Sequence, residues 1–431
     1  MTERAGEPTV RRAAWLWLPN RWRTGAAALV GSAVLAFVHS RPLLGWAYGD
    51  TAAGAAEFRQ SLLTVGMLVA AVGAWTSSSI SRPTSAHVPA GAQRRGGPLV
   101  VSQIGFVFSA GALGYTIGLA PVVARIQATK VDGSFDVATI AAGYAALLAY
   151  VTLGYLIGLV VPAYLAVPIA LGLAWVLVFF GSHLLCPVFD FGVVSGLAVP
   201  TRVSVLRLLF YCAVASAVML AASAWLRGRT ADEWARPAAN VGTVLLPVVV
   251  LVWATSTSQT RLVEGDNARP VCRPASSSKV CVHPARAGLL PDLVNAVVEL
   301  NAAAGPAVFP PSSFVDAAVA RFDAESGVHQ LQIQGQRKDW LSIARTDIAL
   351  FVAGFDACQR PSAMDVDARE VSSAVAGWVL AQAGRSPGLA LASPGAAEQF
   401  RLLARRDETD ARASVEASIG EIRECAGRPF T

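Results

Sequence analysis

Residues 154–177 read GYLIGLVVPAYLAVPIALGLAWVL, and none of these side chains carries a charge. A membrane-spanning helix needs roughly 17–25 mostly apolar residues, so this stretch belongs to two spans joined by a very tight turn. Pro162 and Pro168 cannot donate backbone hydrogen bonds, which favours a break between two helices there. The stretch therefore predicts consecutive membrane helices over about 137–160 and 162–182.

The first 256 residues repeat this composition. The chain has 431 residues, of which 54% are hydrophobic, and its mean hydropathy is +0.49; both values are typical of a protein with several membrane spans. We predict an α-helical polytopic membrane protein of about seven transmembrane helices with a C-terminal soluble α+β, mainly helical domain. The predicted spans lie at about 24–40, 61–80, 99–124, 137–160, 162–182, 204–226 and 238–256.

These spans divide the chain into three regions. Residues 1–23 form the cytoplasmic N-terminus, residues 24–256 the transmembrane domain, and residues 257–431 an extracytoplasmic domain. Within the first region, RRAAWLWLPNRWRT (Arg11–Thr24) interleaves tryptophan with arginine. This composition is typical of an interfacial helix in the lipid headgroup layer, and equally of an ordinary anchor for the first span.

The basic residues of alternate loops indicate the orientation, because cytoplasmic loops carry an excess of them. One set of loops holds eleven basic residues and the other holds six. The first set is Arg4, Arg11, Arg12, Arg21, Arg23, Arg82, Arg94, Arg95, Arg227, Arg229 and Arg236, and the second is Arg41, Arg59, Arg125, Lys130, Arg202 and Arg207. We therefore expect a multi-pass plasma-membrane protein whose N-terminus is cytoplasmic. Its C-terminal domain is outside only if the last span, which contains Pro247, crosses the membrane.

The predicted spans hold almost no charge. Proton and ion relays usually contain intramembrane Asp, Glu, His or Lys, whereas His39, His183, Arg125 and Arg207 lie near predicted span ends. This pattern disfavours a proton-driven carrier. The net charge of +6 consists largely of arginine at membrane edges, so it indicates topology rather than binding to nucleic acid.

Two glycine pairs predict close helix contacts. Gly114 with Gly118, and Gly154 with Gly158, have the small-xxx-small spacing that lets helix backbones approach each other. We favour packing within the chain over a dimer interface.

Four of the six cysteines lie in the C-terminal domain: Cys272, Cys281, Cys358 and Cys425. An even number in an oxidising compartment indicates disulfides, and four cysteines allow three pairings. We favour Cys272–Cys281 and Cys358–Cys425, although Cys186 is also predicted to lie outside. A zinc site is the alternative, but these cysteines form no CxxC pair and have no paired histidine nearby.

The C-terminal domain contains both strand and helix patterns. Residues 279–283 (KVCVH) and 328–333 are predicted as strands. The predicted helices cover 289–301, 314–322 (capped by Ser313), 340–355, 366–383, 396–405 and 408–425.

No catalytic or nucleotide-binding motif occurs in the sequence, which has no GxxxxGK[ST], HExxH or GxSxG, and no GxGxxG after a predicted strand. We therefore expect no enzyme activity, no cofactor and no metal. His283 and His329 are interpreted as structural or surface residues. The acids Asp365, Asp367 and Glu370 complement a helix dipole, which explains them without catalysis.

The order of these features resembles the permease of an ABC-2-type exporter, in the divergent versions common in actinobacteria. The matching features are the aromatic-basic N-terminal segment, the loop Ser81–Pro98 between spans two and three, the proline-marked turn Gly158–Pro168 and a long apolar loop before span six. The resemblance covers about residues 11–226. The seventh span and the added domain depart from it, and the run VCVHP (Val280–Pro284) is similar to uncharacterised C-terminal domains of actinobacterial ABC-transporter-associated proteins.

The resemblance implies a membrane subunit of an ABC-type transport system. Such a subunit pairs with a copy of itself or with a second permease, and it binds a separate cytosolic ATPase through the loop that holds Arg82, Arg94 and Arg95. Its substrate would be apolar or amphipathic. The alternative is a membrane-anchored extracytoplasmic binding or sensing protein without transport activity.

The orientation can be tested by thiol labelling in intact cells. We expect Cys272, Cys281, Cys358 and Cys425 to react only after a reductant is added. Each disulfide closes a loop of about 10 or about 70 residues and should stabilise the domain by roughly 2–4 kcal/mol. Replacing Cys358 by Ser should leave Cys425 reactive and hardly affect the spans. Cytosol-accessible thiols at all four positions would overturn the topology.

Overall fold

The structure is a computed structural model, and it is mostly helical. It describes residues 21–46, 49–79, 96–129, 135–180, 197–226, 264–265, 269–319, 328–333, 337–355, 366–423 and 429–430. The chain divides into two compact units, a membrane unit and a C-terminal unit, and the division falls after Glu264.

The membrane unit is built from helices. Its described helices are α1 (Arg21–Leu44), α2 (Thr51–Gln60), α3 (Leu62–Ser78), α4 (Gly96–Ala128), α5 (Val137–Val160), α6 (Ala163–Phe180) and α7 (Thr201–Leu226). A small two-stranded sheet joins β1 (Leu197–Ala198) to β2 (Glu264–Gly265).

Five helical segments of the described chain are long and apolar enough to cross a membrane: Trp22–Leu44, Thr51–Ser78, Gly97–Ala128, Val137–Val160 and Thr201–Leu226. The fifth predicted span corresponds to α6, whose apolar segment Ala163–Leu177 is shorter than these five. The seventh predicted span, 238–256, lies outside the described residues. The helical membrane architecture is therefore confirmed, with five candidate spans rather than a confirmed seven.

The second span begins ten residues earlier than the sequence suggested, at Thr51 instead of residue 61. Asp50 starts it, because its side chain accepts a hydrogen bond of 2.9 Å from the backbone N–H of Ala53. We placed Arg59 in a loop between the first two spans, whereas in the structure Arg59 and Glu57 both lie inside the helical segment Thr51–Ser78.

Glycines allow the closest helix contacts of the membrane unit. A Cβ atom on Gly114 or Gly118 of α4 would collide with the α1 backbone at Leu29 or Ala33. Along α5, Cβ atoms on Gly154 and Gly158 would collide with the α3 backbone at Ala70 and Ala74. Both predicted glycine pairs thus pack within the chain.

The proline-marked turn lies where the sequence predicts it. Helix α5 ends at Val160 and α6 begins at Ala163, with Val161 in an extended conformation between them. Pro168 lies inside α6.

The C-terminal unit contains a four-stranded mixed sheet and five helices among its described residues. The strands are β3 (Val271–Ala275), β4 (Ser278–Val282), β5 (Ser313–Asp316) and β6 (Val328–Leu331), in the spatial order β3-β4-β5-β6. The first pair is antiparallel and the other two are parallel. The helices are α8 (Leu290–Ala304), α9 (Trp340–Val352), α10 (Val366–Gln382), α11 (Pro394–Ala404) and α12 (Glu408–Arg423), and a 3-10 turn covers Pro284–Leu289.

The prediction of a helix over 314–322 was wrong, because Ser313–Asp316 forms β5. Phe314 and Asp316 are buried while Ser313 and Val315 are half-buried. This alternation is that of a strand paired on both sides. The run FVDAAVARF also has helical spacing, so the pattern alone could not separate the two structures.

The helix contact at Gly114 gives a test of the packing. Replacing Gly114 by Ala should destabilise the protein by about 1–3 kcal/mol, because the new Cβ atom meets backbone that has no room to move. Gly105 is the matched control on the same helix, since a Cβ atom there meets nothing within 4 Å. Thermal unfolding in detergent measures both variants. Equal melting temperatures for the two variants would contradict this packing.

Candidate functional site

Among the described membrane helices, three side chains of charged residues are buried. Glu57 is 5% exposed and Arg59 is 1% exposed, both on α2, while Arg207 on α7 is 1% exposed. We expected almost no buried charge in the spans, and the structure corrects this. Charged residues in membrane segments are costly and usually belong to a functional site.

Hydroxyl groups fix the backbone around Glu57. The Tyr115 hydroxyl donates a hydrogen bond to the carbonyl oxygen of Phe58. The Ser61 hydroxyl lies 2.6 Å from the carbonyl oxygen of Glu57 and 3.1 Å from the Tyr115 hydroxyl. Tyr115 also packs edge-on against Phe58 and Tyr144. These contacts hold α2 in one position against α4 and α5.

The Glu57 carboxylate faces α1. Its Oε1 atom lies 3.7 Å from Nε2 of His39. Among the described residues this oxygen accepts no hydrogen bond. We call His39, Glu57 and Tyr115 the end cluster: His39 lies near the end of α1, Glu57 lies in the last turn of α2, and Tyr115 contacts the backbone next to Glu57.

The starts of α5 and α7 lie side by side. Asp136 caps α5 by accepting hydrogen bonds from the backbone N–H groups of Ala138 and Thr139. The Thr139 hydroxyl lies 3.0 Å from the hydroxyl of Ser204. Arg207 follows Ser204 by one helical turn, so this buried cation belongs to the same end of α7.

A second buried polar contact links α4 to α5. The Tyr155 hydroxyl donates a hydrogen bond of 2.7 Å to Oε1 of Gln103. Gln103 is fully buried, and its Nε2 atom has no hydrogen-bond partner among the described residues. Helix α4 therefore carries buried polar groups at two positions along its length, Gln103 and Tyr115.

The C-terminal unit has its own buried ion pair at the end of β5. Nη1 of Arg286 donates to Oδ1 of Asp316 at 2.6 Å. Asp316 also accepts from the backbone N–H groups of His283 and Ala318. Asp316 is 0% exposed. These bonds tie the 3-10 turn after β4 to β5, which is a structural role.

Both histidines of the C-terminal unit, which the sequence analysis interprets as structural or surface residues, make contacts within that unit. Nδ1 of His283 accepts from the backbone N–H of Ala285. His329 stacks on Phe351 with ring centroids 4.4 Å apart, and its Nε2 atom lies 3.4 Å from Oδ1 of Asp347.

Glu299 on α8 lies between two arginines. It accepts from Nε of Arg385 at 2.6 Å and from Nη2 of Arg345 at 3.3 Å. The Arg385 hydrogen bond, followed by the two positive charges, lowers the pKa of Glu299 below its usual range. This carboxylate therefore stays ionised at neutral pH and joins α8 to α9 and to the segment after α10.

The predicted site residues have different outcomes. The Cys272–Cys281 disulfide is confirmed, and its cysteines lie directly opposite each other in the β3–β4 register. Cys358, Cys425, Arg82, Arg94 and Arg95 lie outside the described residues, as does Cys186. Among the described residues, no group of three or more His, Cys, Asp and Glu side chains could hold a metal ion.

The chain was compared with protein-family models, with curated proteins and with solved structures, and none of the three comparisons finds a match. The resemblance to ABC-2-type permeases therefore stays a prediction from the sequence.

The Arg286–Asp316 pair can be tested with a double-mutant cycle. Asp316→Asn should cost roughly 3–5 kcal/mol, because it removes the negative charge from a buried ion pair. Adding Arg286→Met should recover part of this loss. Hydrogen exchange of the β4 and β5 amides in the full chain reports the stability. Asp339→Asn is the control, since its partner Arg337 is half exposed. Losses that simply add would show that the two residues act independently.

Proposed function

We propose that this chain is the integral membrane subunit of an ABC-type transport system, and that it works with a separate ATPase on an apolar or amphipathic substrate. The observation that carries the proposal is the buried charge of Glu57, Arg59 and Arg207 within apolar helices. A bundle that only anchors a domain gains nothing from such residues, which cost several kcal/mol each to bury. A transport path uses them to bind or exclude polar groups.

An amphipathic substrate fits the surfaces of the described helices best. Several helices expose large apolar side chains on the outside of the unit. Examples are Val30, Val34 and Val38 on α1, Ile117 on α4, Ile169 and Trp175 on α6, and Leu209 and Leu220 on α7. A molecule that arrives from the lipid would keep its apolar part against such faces and bring its polar part to the end cluster.

The energy source must be a second protein in this proposal. The sequence holds no nucleotide-binding loop of the GxxxxGK[ST] type. The basic loop Ser81–Pro98 is the proposed contact with the ATPase. It leads into α4, so movement of the loop would act directly on the helix that carries Tyr115. The second permease copy, identical or related, would complete the transporter.

A second candidate function is an extracytoplasmic binding or sensing module held by the membrane unit. The observation that favours it is the independent construction of the C-terminal unit. That unit has its own hydrophobic core around Phe309, Phe314 and Trp378, and its own disulfide. A domain of this kind can bind a ligand without any transport by the helices.

Copurification separates the two candidates. The full chain should retain an ATPase subunit when it is extracted from native membranes after mild cross-linking. Changing Arg82, Arg94 and Arg95 together to Glu should reduce the retained ATPase at least about tenfold, because the contact depends on their charge. The matched control changes Arg227, Arg229 and Arg236, which the same orientation places on the same side of the membrane.

If no ATPase copurifies with the unmodified chain, the transport proposal is refuted and the binding module is favoured. Equal loss from both triple variants would refute the loop as the contact and leave the partnership itself standing.

A further inference from the structure

The contact between His39 and Glu57 joins two helices that run in opposite directions. His39 lies in the last turns of α1, and Glu57 lies in α2, which starts the next span. Their Nε2 and Oε1 atoms are 3.7 Å apart. The His39 side chain is 24% exposed and the Glu57 side chain is 7% exposed. The carboxylate is therefore closed off from the surroundings, and the imidazole is the accessible member.

The number of protons on this pair decides its net charge. When the imidazole is neutral and the carboxyl group is ionised, the pair has a charge of −1. One added proton makes the pair neutral, either as a carboxylate with an imidazolium or as a carboxylic acid with a neutral imidazole. Because an uncompensated charge costs several kcal/mol to bury, the neutral one-proton form is the stable one.

The neighbouring groups do not remove the need for this proton. On α4, Tyr115 uses its hydroxyl on the backbone of Phe58. On α5, the Tyr144 hydroxyl lies 2.6 Å from that of Thr116. Other charged residues on the described parts of these elements are Asp50, which caps α2, Arg59 on α2, Arg41 on α1 and Arg125 on α4. Asp50, Arg59 and Arg125 have interactions of their own, and both Arg41 and Arg125 are exposed. Among the described residues, His39 is the partner that faces Oε1 of Glu57.

We propose that His39 and Glu57 form a proton-binding pair that holds one exchangeable proton inside the membrane unit. In its two forms the proton is bonded either to Nε2 of His39 or to a carboxylate oxygen of Glu57. Transfer breaks the N–H bond and forms the O–H bond, and the pair stays neutral throughout. The N···O distance must shorten from 3.7 Å to about 3 Å for this step, which is hydrogen-bond distance. Exchange with the surroundings takes place at the more accessible imidazole.

The inference is independent of the ATPase and of transport, because it concerns proton binding by the purified chain. Its test is linkage between the two groups. Glu57 must change the proton affinity of His39 by the same factor by which His39 changes the proton affinity of Glu57. Full-length protein with nitrogen-15 histidine gives the titration of His39, and its signal is assigned by its loss in His39→Gln. The chain has only 5 histidines, so this assignment is practical.

We expect His39 to bind its proton about tenfold more weakly in Glu57→Gln, which corresponds to one pH unit. Infrared spectra follow the carboxylic acid band of Glu57, which should be missing in Glu57→Gln and should titrate at a different pH in His39→Gln. The matched control is Asp136→Asn, an acid whose hydrogen bonds are all local to the start of α5. This variant should leave both titrations unchanged.

Two results would overturn the proposal. One is an unchanged His39 titration in Glu57→Gln, with an unchanged elution volume and melting temperature showing that this nearly isosteric variant is folded. The other is a Glu57 carboxylate that ionises at the same pH with and without His39. Either result means that the two side chains do not share a proton.

Discussion

The membrane unit depends on the close approach of helix backbones at glycine. Within lipid, apolar side chains gain nothing by leaving the bilayer for a helix interface, so helix association rests on tight packing and polar contacts. Gly114 and Gly118 bring α4 against the backbone of α1, and Gly154 and Gly158 bring α5 against α3. Side chains next to these contacts have no freedom to shift along the helices. Tyr115 therefore meets α2 at Phe58, and His39 meets Glu57.

The two charges of α2 cannot neutralise each other. Glu57 and Arg59 are two residues apart, and side chains at that spacing point to different sides of a helix. Each must find a partner on a different neighbouring element, which for Glu57 is His39 on α1. A single surface ion pair could be placed by chance at little cost. Two opposite charges buried on separate sides of one membrane helix require two separate compensating sites, which favours a functional origin over an accidental one.

The sequence predicted features that depend on local composition. Hydropathy located the helices, Pro162 located the turn between α5 and α6, and the spacing of Cys272 and Cys281 indicated the disulfide. The prediction failed where residues distant in the sequence determine the local structure. A search for apolar composition stops at Glu57 and Arg59, whereas the helix continues through both, and His39 on α1 lies against Glu57. Residues 313–316 fit a helix by spacing but form β5, since β4 and β6 offer hydrogen bonds on both sides. The His39–Glu57 contact itself left no local signal.

The described contacts also give the directions of the helices in the membrane unit. Helices α3 and α5 run in the same direction, because successive contacts advance along both helices. Helices α5 and α7 begin at the same end of the unit, where Thr139 contacts Ser204. Helix α7 then runs to Leu226, which is the opposite end of the unit. Glu264, however, pairs through β2 with β1, which directly precedes α7. The chain leaves α7 at one end of the unit and is next described at the other. An α-helix of 26 residues is about 39 Å long, so Leu226 and the start of α7 lie at opposite ends of the membrane unit. The pairing of β1 with β2 therefore adds a backbone contact at the end of the membrane unit where α5 and α7 begin.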